Sequence, residues 1–308
     1  MTQNKHVLVL FGPTASGKSK LAMSVANKCN AVIVNCDSKQ LYKEIPIITA
    51  QPTLEDMQKV EHEMYGIISV AEHCSVARWI DMVKPIIKKI WSEGKVPLLV
   101  GGTGLYIKHL INGMPQIPDI SDDIRMQVRE NINNKGSKYI HAQLDNEMQE
   151  KLQPADSQRV ARAYEVLIQT GKSLYYWQNM PAVPVLENAL FSQFFLSPQR
   201  EEVYKNCNMR FNTMINTGVI EEIKNLYDMQ LSESLPSMKA HGVPEIAAYI
   251  RGDLNLDEAI IKAQRNTRRY IKRQFTWFRS QMPEANIIEG DEKVEKILSI
   301  IKQVQNQL

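Results

Sequence analysis

Three short, unbroken apolar runs mark the first hundred residues, and each stops at a polar or glycine-rich segment. Val7-Leu8-Val9-Leu10-Phe11 runs into Gly12-Pro13, and Ala31-Val32-Ile33-Val34 into Asn35-Cys36-Asp37-Ser38. Val96-Pro97-Leu98-Leu99-Val100 ends at Gly101-Gly102-Thr103-Gly104. Apolar runs without alternation predict strands buried on both faces, as in a parallel sheet. Between them Leu21, Ala22, Val25 and Ala26 recur at helical spacing, and Trp79 to Trp91 carries a second helical pattern. Strands alternating with helices predict an α/β fold. Ligands of such sheets gather at the carboxyl ends of the strands, where these three loops would converge.

The pattern changes near Ile117-Pro118-Asp119. From Asp122 to about Gln178 it is wholly helical, with turn signals at Asn133-Asn134-Lys135-Gly136 and Gln153-Pro154-Ala155-Asp156. A stretch punctuated by Pro181 and Pro184 leads to Leu190-Phe191-Ser192-Gln193-Phe194-Phe195-Leu196, a returning strand. Everything after Pro198 reads as helices: Glu201 to Thr217, Val219 to Gln230, Pro244 to Arg251, Leu256 to Gln281 and Lys293 to Gln305. The expected organisation is a core with a parallel sheet over 1–116 and 190–308, ending in a helical C-terminal region, with a helical insertion over 117–189.

Composition narrows the class without naming it. The chain has 308 residues, 44% apolar and 23% charged, enough for a substantial core without disulfides. A net charge of +3 excludes a histone-like polycation, and the apolar content excludes a mostly disordered chain. Cys29, Cys36, Cys74 and Cys207 have no paired or zinc-like spacing, so free thiols in a reducing cytosol are expected. No stretch approaches the ~20 apolar residues of a membrane span, and Val7 to Phe11 is too short for a signal segment. A cytoplasmic protein is the expectation.

Gly12-Pro13-Thr14-Ala15-Ser16-Gly17-Lys18-Ser19 fits G-x-x-x-x-G-K-[ST] in full, between a buried strand and a helix. This predicts a P-loop NTPase-like core. Its backbone N–H groups would cradle a polyphosphate, Lys18 would meet terminal phosphate oxygens, and the Ser19 hydroxyl would be a Mg²⁺ ligand. Asp37 ends the next strand. It reads as a Mg²⁺-holding acid, as a general base, or as a helix N-cap for a segment starting near Ser38. Gly101-Gly102-Thr103-Gly104 reads equally as a tight turn or as part of the site.

One local count contradicts the near-neutral total. Between Lys262 and Arg279 stand Lys262, Arg265, Arg268, Arg269, Lys272, Arg273 and Arg279 with no acid, interleaved with Tyr270, Phe275, Trp277 and Phe278. Ile260, Gln264, Thr267, Ile271, Phe275 and Phe278 recur at helical spacing and are expected to face the core. The basic residues then form either a solvated face or a phosphate-contact surface. Gln158-Arg159-Val160-Ala161-Arg162 is a smaller basic cluster in the insertion.

Together these segments resemble the tRNA dimethylallyltransferases, the bacterial MiaA family. The likeness spans nearly the whole chain. It rests on the Gly12 to Ser19 loop, Asp37-Ser38-Lys39-Gln40-Leu41-Tyr42, Val100-Gly101-Gly102-Thr103-Gly104-Leu105-Tyr106, Gln158 to Arg162, and Lys272-Arg273-Gln274-Phe275-Thr276-Trp277-Phe278-Arg279. The resemblance implies transfer of a dimethylallyl group from dimethylallyl diphosphate to N6 of adenosine 37 in tRNAs reading codons that begin with U. The loop from Gly12 through Pro13, Thr14, Ala15, Ser16, Gly17 and Lys18 to Ser19 would hold the diphosphate, with Mg²⁺ at Ser19. Asp37 would act as general base, and Lys18, Arg210 and Thr103 would also serve catalysis. The same resemblance places Asp37, Ser38, Lys39, Gln40, Thr103 and Arg125 against the tRNA anticodon stem-loop. It adds Gln158, Arg159 and Arg162 from the insertion, and Lys272, Arg273, Gln274, Trp277 and Arg279 from the basic helix. Nothing in the sequence demands more than a monomer, and no obligate protein partner and no membrane attachment are expected.

Some positions depart from the family. Pro46-Ile47-Ile48-Thr49-Ala50-Gln51-Pro52 stands where the family usually reads Asp-Ile-Gly-Thr-Ala-Lys-Pro. Gly242-Val243-Pro244 replaces Gly-Tyr-Lys/Arg, and Asn206 stands where many members carry a second arginine. The main alternative is a P-loop small-molecule or nucleotide kinase, in which the insertion is a lid and Asp37 activates an acceptor hydroxyl. Such an enzyme has no need of the acid-free basic helix.

Overall fold

The computed structural model describes residues 5–306. Six strands form one parallel sheet: β1 (His6–Phe11), β2 (Ala31–Asn35), β3 (His62–Glu63), β4 (Val96–Gly101), β5 (Leu190–Leu196) and β6 (Asn286–Ile288), in the order β3-β2-β4-β1-β5-β6. The central register pairs Leu10 of β1 with Val100 on one side and with Phe194 on the other. The unbroken apolar runs do what was expected of them. All of β1 and β2 is buried, as is β4 beyond its first residue.

In chain order the helices begin with α1 (Lys18–Cys29), α2 (Pro46–Thr49), α3 (Leu54–Lys59), α4 (Val76–Ser92) and α5 (Gly104–Asn112). Then come α6 (Asp122–Lys135), α7 (Ser137–His141), α8 (Asn146–Lys151), α9 (Ser157–Thr170) and α10 (Leu174–Gln178). The remainder are α11 (Arg200–Asn216), α12 (Val219–Asp228), α13 (Val243–Ile250), α14 (Leu256–Gln281) and α15 (Lys293–Asn306). None is long and apolar enough to cross a membrane among the described residues.

The chain divides into two compact units, 1–111 with 186–308, and 112–185. In the first, Leu21, Ala22, Val25 and Ala26 of α1 join Leu8, Leu10, Ile33, Leu98, Phe194 and α15 residues Ile297 and Ile301 in one core. Elsewhere in this unit Trp79, Val83, Ile87 and Ile90 of α4 are buried, and Phe278 of α14 lies 4.8 Å from the Phe11 ring. Each such buried side chain contributes about 1.5–3 kcal/mol, so the sheet ends are held rigidly. The second unit packs Ile120, Leu144, Met148, Ala163, Val166 and Leu174. Its helices are capped by Ser121, Asp145, Asp156 and Ser173.

Two strands lie outside the expected set. β3 and β6 have only two and three residues, are partly exposed, and are edge strands too short to show a period. β6 corrects the expectation that everything beyond Pro198 is helical. Two positions of α14 are also reassigned. Ile260 and Gln264 are only half-buried, while Ala259, Ala263 and Gln274 complete the buried face.

Candidate active site

The phosphate loop leaves β1 at Gly12 and enters α1 at Lys18. Gly17 caps the helix in the left-handed region, with φ of 91°, a conformation that a side chain would strain. Inside the loop the Ser16 hydroxyl oxygen is buried and has no hydrogen-bond partner. Lys18 Nζ donates to the Pro13 carbonyl at 2.6 Å. Burial lowers its pKa to about 8; the Asp37 carboxylate works against this shift and Arg210 with it. Arg210, from α11, donates from Nη2 to the Thr14 hydroxyl at 2.7 Å, and burial lowers its pKa too. Among the described residues neither cation has an acidic ion-pair partner. Two desolvated cations and a buried hydroxyl without a partner among the described residues, set around a helix N-terminus, make an arrangement that could take a polyanion. Ser19 is exposed in the first turn of α1.

Asp37 follows β2 and is held by its neighbours. The side chain of fully buried Asn35 accepts from the Asp37 N–H at 2.8 Å and donates to the Asp37 carbonyl at 3.1 Å and the Met64 carbonyl at 3.0 Å. Asp37 Oδ1 accepts the Lys39 N–H at 3.0 Å. This is an Asx turn with no helix after it, so the N-cap reading falls. The β4 loop is tied to the same segment: Thr103 N–H donates to the Cys36 carbonyl at 3.2 Å, and Thr103 Oγ1 accepts the Ser38 N–H at 2.9 Å. Gly102 sits where the loops meet. A Cβ placed there would lie 3.4 Å from Asp37 Oδ2 and 3.5 Å from the Gly12 carbonyl. Gly101 to Gly104 is thus a turn packed against the Asp37 segment and the phosphate loop.

α14 supplies the wall. Gln274 is 5% exposed; it accepts the Thr14 N–H at 2.9 Å and donates to the Gly102 carbonyl at 3.0 Å. Trp277 lies against Gly104 so closely that any Cβ there would overlap its ring. On the outer side Lys262, Arg265, Arg269, Lys272, Arg273 and Arg279 are exposed, whereas Arg268 donates to Asn208 Oδ1 at 2.8 Å. None of the seven joins a salt bridge among the described residues. Arg273 lies over Tyr270 and Arg279 over Phe275, each 5.7 Å from the ring centroid.

Several residues expected at a tRNA surface have partners within the protein. Gln274 points inward, because its position continues the Thr267, Ile271, Phe278 stripe. Lys39 Nζ donates to the Pro236 carbonyl at 2.6 Å. Gln40 Nε2 donates to the carbonyls of Thr49 and Ala50 at 2.9 and 2.7 Å. The Ser38 hydroxyl lies 3.3 Å from Thr103 Oγ1. Arg125, Gln158, Arg159 and Arg162 all belong to the second unit. There Arg125 pairs with Asp122, Arg159 with Asp156 and Arg162 with Glu165, and Gln158 is exposed.

Two arrangements are invisible in the sequence. The buried Glu222 carboxylate accepts the N–H groups of Ile47 and Ile48 at 2.7 and 2.8 Å, capping α2 within the unusual Pro46 to Pro52 segment. Ile48 packs against Gly242, and Gln51 donates to the Tyr42 carbonyl at 2.7 Å. The His241 ring lies 4.4 Å from Tyr270. Burial lowers the His241 pKa and raises that of Tyr270; the Asp37 carboxylate raises both.

A parallel sheet with a G-x-x-x-x-G-K-S loop after β1, and an acid just beyond β2 on the far side of β4, defines an α/β protein whose strand ends could take a phosphorylated ligand. Family models sharpen this: "IPP transferase" matches residues 40–281 and "Isopentenyl transferase" residues 5–74. The tRNA dimethylallyltransferase of Ehrlichia canis (strain Jake) is 47% identical over 98% of this chain and 99% of its own. That of Wolbachia pipientis wMel is 42% identical over 92% and 95%. The solved tRNA isopentenylpyrophosphate transferase of Bacillus halodurans superposes with a TM-score of 0.69 at 32% identity, covering 97% and 96% of the two chains. A eukaryotic dimethylallyltransferase acting on tRNA superposes with a TM-score of 0.79 at 25% identity, over 92% of this chain and 74% of that one. The chain belongs to the tRNA dimethylallyltransferase family, whose members are prenyltransferases.

Proposed function

We propose that this protein transfers a dimethylallyl group from dimethylallyl diphosphate to N6 of adenosine 37 in tRNAs reading codons that begin with U. The observation that carries the reading is the junction at Gly102, where a Cβ would lie within 3.5 Å of both Asp37 Oδ2 and the Gly12 carbonyl of the phosphate loop. The relatives' activity on tRNA supports it.

In the reaction the allylic C–O bond breaks and its electron pair leaves with the diphosphate. The N6 lone pair forms the new C–N bond, and an N6 proton passes to the Asp37 carboxylate. Lys18, Arg210 and the loop N–H groups stabilise the charge growing on the diphosphate. Thr103, fixed by Ser38 N–H and Cys36 carbonyl, holds the acceptor edge of the pocket. Adenosine 37 must leave its stack to reach Asp37.

Mg²⁺ fits the donor chemistry. Among the described residues no cluster of three His, Cys, Asp or Glu could hold a metal alone. The Ser19 hydroxyl would hold Mg²⁺ jointly with diphosphate oxygens and water, and the ion would neutralise part of the leaving-group charge. The exposed cations of α14 take the phosphate backbone of the anticodon stem-loop, and Arg125, Gln158, Arg159 and Arg162 add contacts from the second unit. The protein acts as a monomer in the cytoplasm.

Incubation with Mg²⁺, labelled dimethylallyl diphosphate and unmodified tRNA bearing A36-A37-A38 is expected to place label at N6 of A37. Absence of label, with acceptor-dependent ATP consumption, sinks the reading in favour of a kinase. Replacing Lys272 and Arg273 together by alanine is expected to weaken tRNA binding. The slope of log affinity against log salt should also flatten by about 1–2. An unchanged slope removes these residues from the phosphate-contact surface.

A further inference from the structure

The side chain of Gln274 stands among residues expected to touch RNA, yet it is buried and makes two hydrogen bonds to the backbone of two different loops. Its Oε1 takes the N–H of Thr14, so that N–H is committed to anchoring the phosphate loop instead of binding phosphate. Its Nε2 donates to the carbonyl of Gly102, the glycine beside Asp37 Oδ2. Thr14 is the residue whose hydroxyl receives Arg210, and Ala15, next in the chain, is turned into the left-handed region with φ of 61°.

We infer that Gln274 is a positioning residue for prenyl transfer: one amide fixes the separation between the diphosphate cradle and the acceptor pocket and makes no contact with tRNA. The physical reason lies in the amide itself. A carboxylate can only accept and an ammonium can only donate, whereas a planar amide does both at once along fixed directions. No other uncharged side chain of that length spans an N–H on one loop and a carbonyl on the other. The neighbouring Lys272 and Arg273 are exposed, so one turn of α14 grips the loops from its inner side while its outer side stays free for phosphate.

Misplacement of reacting groups by about 1 Å can cost about 10²-fold in rate, and loss of the amide frees Thr14 and Gly102 by that order. The effect on rate rests on the transferase reading above; the effect on the phosphate loop does not. The test uses Gln274→Met, which keeps the length and apolar stem but neither hydrogen bond. The full chain is titrated with Mg²⁺-pyrophosphate in a calorimeter, with tRNA in a filter assay, and assayed for transfer. The expected result is pyrophosphate affinity lower by about tenfold or more and kcat lower by a similar factor, with tRNA affinity unchanged. Loss of tRNA affinity with pyrophosphate affinity and kcat intact overturns the inference and makes Gln274 an RNA contact. Equal kcat and pyrophosphate affinity in variant and wild type also overturn it, as does a thermal midpoint that falls alone.

A wild type that binds pyrophosphate but prenylates no tRNA defeats the transferase reading, and pyrophosphate affinity then decides the role of Gln274 by itself. Binding of pyrophosphate by neither protein overturns both. Should Gln274→Met not fold, Gln274→Glu has the same shape. It still accepts from Thr14 but cannot donate to Gly102 when ionised. Its kcat is expected to fall with tRNA affinity retained, and an unchanged kcat overturns the inference.

Discussion

Asp37→Asn is expected to lower kcat by about 10³-fold while tRNA affinity stays close to that of the wild type. The N6 lone pair of adenine is delocalised into the ring, so the amine is a poor nucleophile unless its proton departs as the C–N bond forms. Asp37 is the acid whose Oδ2 borders Gly102 and therefore the phosphate loop. The asparagine keeps the turn, because its carbonyl can still accept the Lys39 N–H that Oδ1 accepts now. Asn35 holds the backbone of residue 37 independently. The variant thus removes basicity and little else, and single-turnover assays with saturating tRNA isolate the chemical step. An equal loss of kcat and affinity would reassign Asp37 to binding or to the turn.

How far the sequence discloses this site depends on the range of the interaction. The phosphate loop, Asp37 and the Gly101 to Gly104 turn are each preceded by a buried strand, and parallel topology brings strand ends together without further information. Glu222 is different. It caps α2 across 174 residues of chain, and nothing local announces that its carboxylate will be buried. Gln274 is an intermediate case. Its spacing of seven from Thr267 and three from Ile271 puts it on the buried stripe, but its amide and basic neighbours suggest a wet surface. The period was the better guide than the polarity. β3 and β6 were missed because two or three residues at a sheet edge carry no period at all.

Replacement of Lys18 by methionine should lower kcat/KM for dimethylallyl diphosphate by about 10²–10³-fold and should raise, not lower, the stability of the free protein. Both effects come from the same buried ammonium. Without an anion, burial holds its pKa at about 8, below its ordinary value of 10.5. A lysine lowered in this way costs the folded state stability wherever the ammonium is charged, below pH 8. The cost is relieved as pH rises from about 8 towards the unfolded value of 10.5, since the unfolded chain then holds more protons. Removing the charge at pH 7 therefore removes the cost, offset in part by loss of the bond to the Pro13 carbonyl. A thermal midpoint higher by about 2 °C follows. The diphosphate reverses the balance, because it supplies the countercharge that Lys18 and Arg210 lack. In the wild type kcat/KM for the diphosphate should accordingly fall above about pH 8, as Lys18 loses its proton in the free enzyme. A flat alkaline limb to pH 9.5, or a lower midpoint in Lys18→Met, would show that this ammonium is not held desolvated for an anion.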